Sequence, residues 1–181
     1  MSRQNTIVRA MHDLGLAAWF GGTLMGAVGL NGGTAKADDP AQRLRLSSAG
    51  WAKWAPVQLA AIIVHGVGGA ALILANRERL ASQPEARTNT IVKLVLTAVA
   101  GGATLYSGIL GMKMSKRADE GGEGVTEPAA GVSQELASAQ TQQRVLQWVV
   151  PAVTALLIVL GAQQGEQQRS VPGLLDRFRK S

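Results

Sequence analysis

Residues 55–75 read APVQLAAIIVHGVGGAALILA, twenty-one positions without Lys, Arg, Asp or Glu. A helix rises about 1.5 Å per residue, so a run of this length covers the ~30 Å hydrocarbon core of a bilayer. A helix of a soluble bundle would pair an apolar stripe with a charged opposite face. No face of this run carries a charge. The stretch therefore predicts a transmembrane helix. His65 falls near its middle, where an ionisable side chain is costly and ordinarily has a partner or a task.

Three more runs have the same character: 14–30 (LGLAAWFGGTLMGAVGL), 94–112 and 146–162 are also free of charged residues. The chain of 181 residues is then one all-α membrane domain over 1–181, a polytopic bundle of four transmembrane helices. The connectors are polar. In 31–53, Asp39-Pro40 has the form of a helix cap followed by a first-turn proline, and Arg43-Leu-Arg-Leu46 leads to Trp51 and Trp54. This predicts an interfacial segment between helices 1 and 2, ending in a tryptophan belt at the membrane surface. The segment 115–132, with its stretch ADEGGEGVTEPAAG, is expected to be a mobile outer loop. Residues 133–147 should be helical and run straight into the fourth span, with Pro151 near its entry. The tail 165–181 is polar.

With four crossings both termini share a side. Arg3, Arg9, Arg77, Arg79, Arg87, Lys93, Arg169, Arg177, Arg179 and Lys180 lie on that side, ten in all. Lys36, Arg43, Arg45, Lys53, Lys113, Lys116, Arg117 and Arg144 lie on the other, eight in all. The excess of basic residues favours cytoplasmic termini. The net charge is +6. Its Lys and Arg residues gather beside apolar runs, which points to anionic lipids in addition to the bilayer itself. Aromatic residues are not interleaved with them as in a single-strand groove, so no nucleic-acid partner is expected.

The residue types also bound the chemistry. There are no cysteines, so no disulfide, thiolate site or cysteine nucleophile exists. No span carries a carboxylate, which argues against an intramembrane aspartyl protease and against a carboxylate-driven proton transporter. Gly66-Val-Gly-Gly69 lacks the lysine of a phosphate loop. Small residues share helix faces: Ala18, Gly22 and Gly26 at spacing four in the first span, Gly69 with Ala61 and His65 in the second, with Gly66 adjacent, and Gly101 and Gly108 with Thr104 in the third. In lipid, close approach of helices is driven by such residues. They are the expected packing positions, within the chain, between copies or in a larger membrane complex. The expected role is a non-enzymatic packing or accessory subunit without a cofactor.

Two alternatives stay open. His12 and His65 are the only histidines, and with Met25 they could serve haem b or copper. Two imidazoles on one iron must share a depth. His12 stands at the mouth of the first span beside Asp13, whereas His65 is ten residues from Ala75, about 15 Å in. Their depths are expected to differ, so a haem held by both within one chain is not expected. A bond from His65 to a backbone carbonyl or to Thr97 or Thr104 is. The other alternative is a small permease lined by Thr97, Thr104 and Tyr106.

The stretch His12-Asp-Leu-Gly-Leu-Ala-Ala-Trp-Phe-Gly-Gly22 resembles the opening of copper-resistance protein D-like membrane proteins, whose first helix begins with a histidine and carries Trp-x-Gly-Gly. The resemblance covers about a dozen residues and the number of helices. It implies copper handling, with His12 as a ligand or structural histidine at the helix mouth and Trp19, Gly21 and Gly22 as a packing motif. The chain departs from a copper path in having no dense ladder of Met and His. In its Ala, Gly and Arg content it is also similar to unassigned actinobacterial integral membrane proteins, which implies the plasma membrane of a bacterium.

Overall fold

The computed structural model describes residues 3–167. These are helical throughout apart from short connectors, and among the described residues there is no strand. The first span is built from α1 (Arg3–Met25), a π-helical turn (Gly26–Leu30) and α2 (Asn31–Thr34), which follow one another without a break. Then come α3 (Pro40–Ala75), α4 (Arg77–Ser82), α5 (Pro84–Lys116), a 3-10 turn (Ala118–Glu120) and α6 (Gln134–Gln167). Four helical stretches are long and apolar enough to cross a bilayer: Thr6–Thr34, Pro40–Ala75, Pro84–Lys116 and Gln134–Gln163. The chain is an integral membrane protein with four candidate spans. The tail expected over 165–181 lies, past Gln167, outside the described residues.

The spans associate as two pairs, α1 with α3 and α5 with α6, joined chiefly where α1 meets α6. Their lengths exceed the bilayer. α3 has 36 residues, roughly 54 Å of helix. Its start is set by Asp39, whose carboxylate accepts the Ala41 backbone N–H at 2.9 Å, with Pro40 in the first turn. No separate interfacial helix precedes it. The residues expected to lie on the membrane surface are the first turns of α3 itself. Trp51 and Trp54 pack against the first span: a Cβ on Gly26 would meet the Trp51 ring, and one on Gly22 the Trp54 ring. The indoles fill the space that those two glycines leave on the first span.

Above the spans, the ends of α3, α5 and α6 close into a crown. Its core is Leu44, Leu110, Met114, Ala118, Val125, Leu136 and Ala139. The segment expected as a mobile loop over 115–132 is packed into this crown. Gly121, Gly122, Gly124, Val125 and Thr126 are buried. Arg43 donates to the carbonyls of Ala37, Gly122 and Glu123 at 2.7, 3.0 and 2.7 Å, and buried Gln140 donates to Val125 O at 3.1 Å. Gly121 sits at φ 76°, and a Cβ there would stand 2.7 Å from Pro40 Cβ, so the tight chain reversal requires glycine.

Just below the crown is a polar hub. Asn31 Oδ1 accepts from Ser47 Oγ at 2.8 Å and Trp51 Nε1 at 2.9 Å, while its Nδ2 donates to Gln147 Oε1 at 3.0 Å. The π-helical turn adds one residue to the helical repeat just before Asn31.

Deeper still, Leu16, Trp19, Ala100, Val150 and Leu157 form a second core shared by α1, α5 and α6. Trp19 is fully buried and donates to Thr104 Oγ1 at 3.1 Å.

Candidate functional site

The site begins where α1 crosses α3. A Cβ on Gly15 would stand 2.6 Å from Ala61 O and 2.6 Å from His65 N. A Cβ on Gly68 would stand 2.6 Å from His12 N. These are backbone atoms, so the two helices touch main chain to main chain at this point. The contact brings His12 and His65 together. Their rings stack with centroids 4.1 Å apart and planes 19° from parallel. Each ring bonds to the other helix: His12 Nδ1 donates to His65 O at 3.1 Å, and His65 Nδ1 donates to His12 O at 3.0 Å. Trp19 meets His65 edge-on, with centroids 6.2 Å apart.

The expectation that the two histidines lie at different depths is therefore overturned. α1 sits deeper along α3 than its charged residues suggest, and it carries Arg9 and Asp13 with it. At that level α3 still has ten apolar or small residues to run before Asn76.

The shared depth does not make a metal pair. An imidazole ligates through a lone pair lying in its ring plane, at about 2 Å from the metal. Two nearly parallel planes 4.1 Å apart do not bring their lone pairs to one such point. The pair does not fit a single iron or copper held by both rings. Met25, thirteen residues further along the first span, is about 20 Å away and is largely exposed, so it is not brought to the histidines. Among the described residues no three His, Cys, Asp or Glu side chains gather into a metal-binding group.

Between the two helix pairs, on the side of the spans away from the crown, a cleft of about 650 Å³ opens. His12 and His65 border it, together with apolar side chains that include Leu16, Ile73, Leu94, Leu157 and Ile158. Arg9, Asp13, Arg79 and Lys93 also line it. A cleft of this size lies within the usual range for a small-molecule site, and its apolar walls with a few gathered polar groups are the usual composition. Trp19 lies behind His65, in the fully buried core and edge-on to its ring. A permease path through Thr97, Thr104 and Tyr106 is not assembled: Thr97 lines the cleft, but Thr104 receives the Trp19 bond and exposed Tyr106 donates to Gln142.

Of the expected packing positions, Gly22, Gly26 and Gly69 do sit against neighbours; a Cβ on Gly69 would stand 3.2 Å from His12 Nδ1. Ala18 is half-buried on α1. Gly66, Gly101 and Gly108 are different. A Cβ on any of them would meet nothing within 4 Å. The closest crossing belongs instead to Gly15 and Gly68. Sequence spacing missed both, because it marks a face of a helix and not the residue on the facing helix that comes nearest. No family model, curated protein or solved structure matches the chain, so the meaning of the cleft rests on its own chemistry.

Proposed function

We propose that the chain is a non-enzymatic accessory component of a membrane that binds one amphiphile from the bilayer in this cleft. The observation that carries the proposal is the position of Arg9, Asp13 and Lys93 in an apolar-walled cleft, level with residues of α3 that are still apolar. Ionisable groups at such a depth are expensive and mark ligand or ion sites. A molecule with a polar head and an apolar tail satisfies both kinds of wall at once. The stacked histidines hold the α1/α3 crossing together through two backbone bonds and so fix the closed end of the cleft. The expected packing role of the small residues is kept at that crossing, where it shapes the site.

The test is to fill the cleft. Gly161 lines it, and a side chain there would start in open space. Gly161→Trp should leave the fold intact by thermal unfolding in detergent and should remove an amphiphile that co-purifies with the wild type. Equal retention of co-purified amphiphile by both proteins, measured by native mass spectrometry, would refute the proposal.

A further inference from the structure

We infer that the amphiphile is held by alcohols: its head carries two neighbouring hydroxyl groups, which donate to Nε2 of His12 and Nε2 of His65. This rests on the proposal that the cleft holds an amphiphile, and it adds the chemistry of the head.

A carbonyl oxygen only accepts, so each Nδ1 bonded to one carries the hydrogen. In the uncharged ring Nε2 is then an acceptor. Two charged rings stacked 4.1 Å apart would repel one another strongly in so apolar a place. Each imidazole therefore has one hydrogen bond made and one lone pair left over. Neither Nε2 has a protein partner among the described residues. Neither is sealed in the interior without one, although His65 is only 3% exposed. The surface left to each Nε2 opens on the cleft that both rings border.

The crossing decides how the two lone pairs stand to one another. Along it the contacts run in opposite order, from Gly15 against His65 to Gly26 against Trp51, so α1 and α3 are antiparallel. Two antiparallel helices are related by a local two-fold axis. The reciprocal bonds obey it, each ring reaching the carbonyl of the other's residue. The stacked rings therefore turn the same edge to the same side. The result is two acceptors side by side, with no protein donor bonded to either. A site that leaves buried acceptors unpaired penalises a ligand that cannot donate. Ether, ester and phosphodiester oxygens cannot. Two hydroxyls on adjacent carbons, as in a glycerol head, give one hydrogen to each ring.

The experiment compares three uncharged amphiphiles with the same oleoyl chain, titrated into the full chain in detergent and read by native mass spectrometry. Monooleoylglycerol has two free hydroxyls, its mono-O-methyl ether has one and its di-O-methyl ether has none. Each lost donor should weaken binding about fivefold, or about twenty-five-fold for the di-ether. Nitrogen NMR of isotope-labelled histidine reads the rings directly. Both should show a protonated Nδ1 and an unprotonated Nε2. Both Nε2 signals should move on adding monooleoylglycerol and move far less with the di-ether. His12→Asn and His65→Asn each keep a donor near the Nδ1 position and delete Nε2. Each should remove one of the two steps in affinity, and the double variant should bind all three amphiphiles alike.

Equal binding of the three by the wild type would overturn the inference, since water and not the head would then satisfy the rings. A protonated Nε2 on either ring, or Nε2 signals that stay in place while the diol binds, would overturn it too. These readings use the unaltered protein, so a misfolded variant cannot hide them. If the wild type binds all three equally and Gly161→Trp binds none, the cleft stands as an amphiphile site and only the head assignment falls. If Gly161→Trp binds like the wild type, the cleft proposal itself fails.

Discussion

At the scale of single residues, the α1/α3 crossing is set by two hydrogen atoms that stand where side chains would be. Gly15 and Gly68 face backbone 2.6 Å from their ideal Cβ positions, and backbone cannot rotate out of the way. Gly68→Ala should therefore push the helices apart, at a cost of about 1–3 kcal/mol, and loosen the reciprocal histidine bonds. Gly66→Ala, two residues away, enters open space. It should be neutral or stabilising by up to ~1 kcal/mol through helix propensity. Thermal unfolding of both variants in detergent checks the pair, and similar losses at the two positions would contradict the crossing. The sequence shows why only part of this was legible. A glycine-rich run beside His65 announced close packing. It did not say which glycine meets a backbone, because Gly66, Gly68 and Gly69 lie within one turn and differ only in what faces them. The histidine pairing was hidden for the same reason. Depth estimated from Arg9 and Asp13 assumes that charges stay at the membrane edge, and here the cleft lets them in.

At the scale of elements, the crown shows a segment whose composition misleads. Glycine and acidic residues over 118–131 read as mobile chain, yet their partners come from other elements and no local pattern reveals them. Arg43 of α3 reaches the carbonyls of Gly122 and Glu123, and Gln140 of α6 reaches Val125. The beginning of α3, by contrast, was legible, because Asp39-Pro40 carries its capping chemistry locally. The crown should respond to pH through Glu120, whose carboxylate accepts the Ser133 backbone N–H at 2.6 Å and pairs with Arg117. The Ser133 bonds, and then Arg117, hold its carboxyl below the ordinary glutamate range. A group depressed in this way stabilises the folded state fully at neutral pH. The contribution is lost as the pH falls through the folded-state value, below that ordinary range. Backbone hydrogen exchange over 121–127 should therefore be slow at neutral pH and rise on acidification. Glu120→Gln should raise it already at neutral pH and flatten the pH response. Exchange in the variant identical to wild type at both pH values would remove this carboxylate from the account of the crown.

At the scale of the whole molecule, the four spans were plain from charge-free length, because hydrocarbon leaves a helix little choice. Their register was not, because lipid tails are as apolar as leucine and a helix can slide without changing its burial. What fixes register here is polar: the histidine pair at one level, Trp19 with Thr104 in the middle, and the Asn31 hub near the crown. This arrangement closes the bundle toward the crown and leaves it open at the other end, which can be read by sided labelling. The chain has no cysteine, so each introduced thiol reports alone. Cysteines at Gln83, in the α4–α5 turn, and at Glu123, in the crown, should react with a membrane-impermeant reagent from opposite sides. The excess of basic residues on the side of Gln83 makes that side the expected cytoplasmic one. Thr97→Cys lines the cleft, so it should react from the Gln83 side only, more slowly than Gln83→Cys, and faster once bound amphiphile is stripped by detergent. Ala100→Cys, three residues along the same helix, lies in a fully buried core and should stay unlabelled from both sides. Reaction of Gln83 and Glu123 from one side would end the four-span arrangement. Reaction of Thr97 from the Glu123 side would mean that the bundle opens toward the crown, leaving the histidine pair and Trp19 on the wrong end of the path.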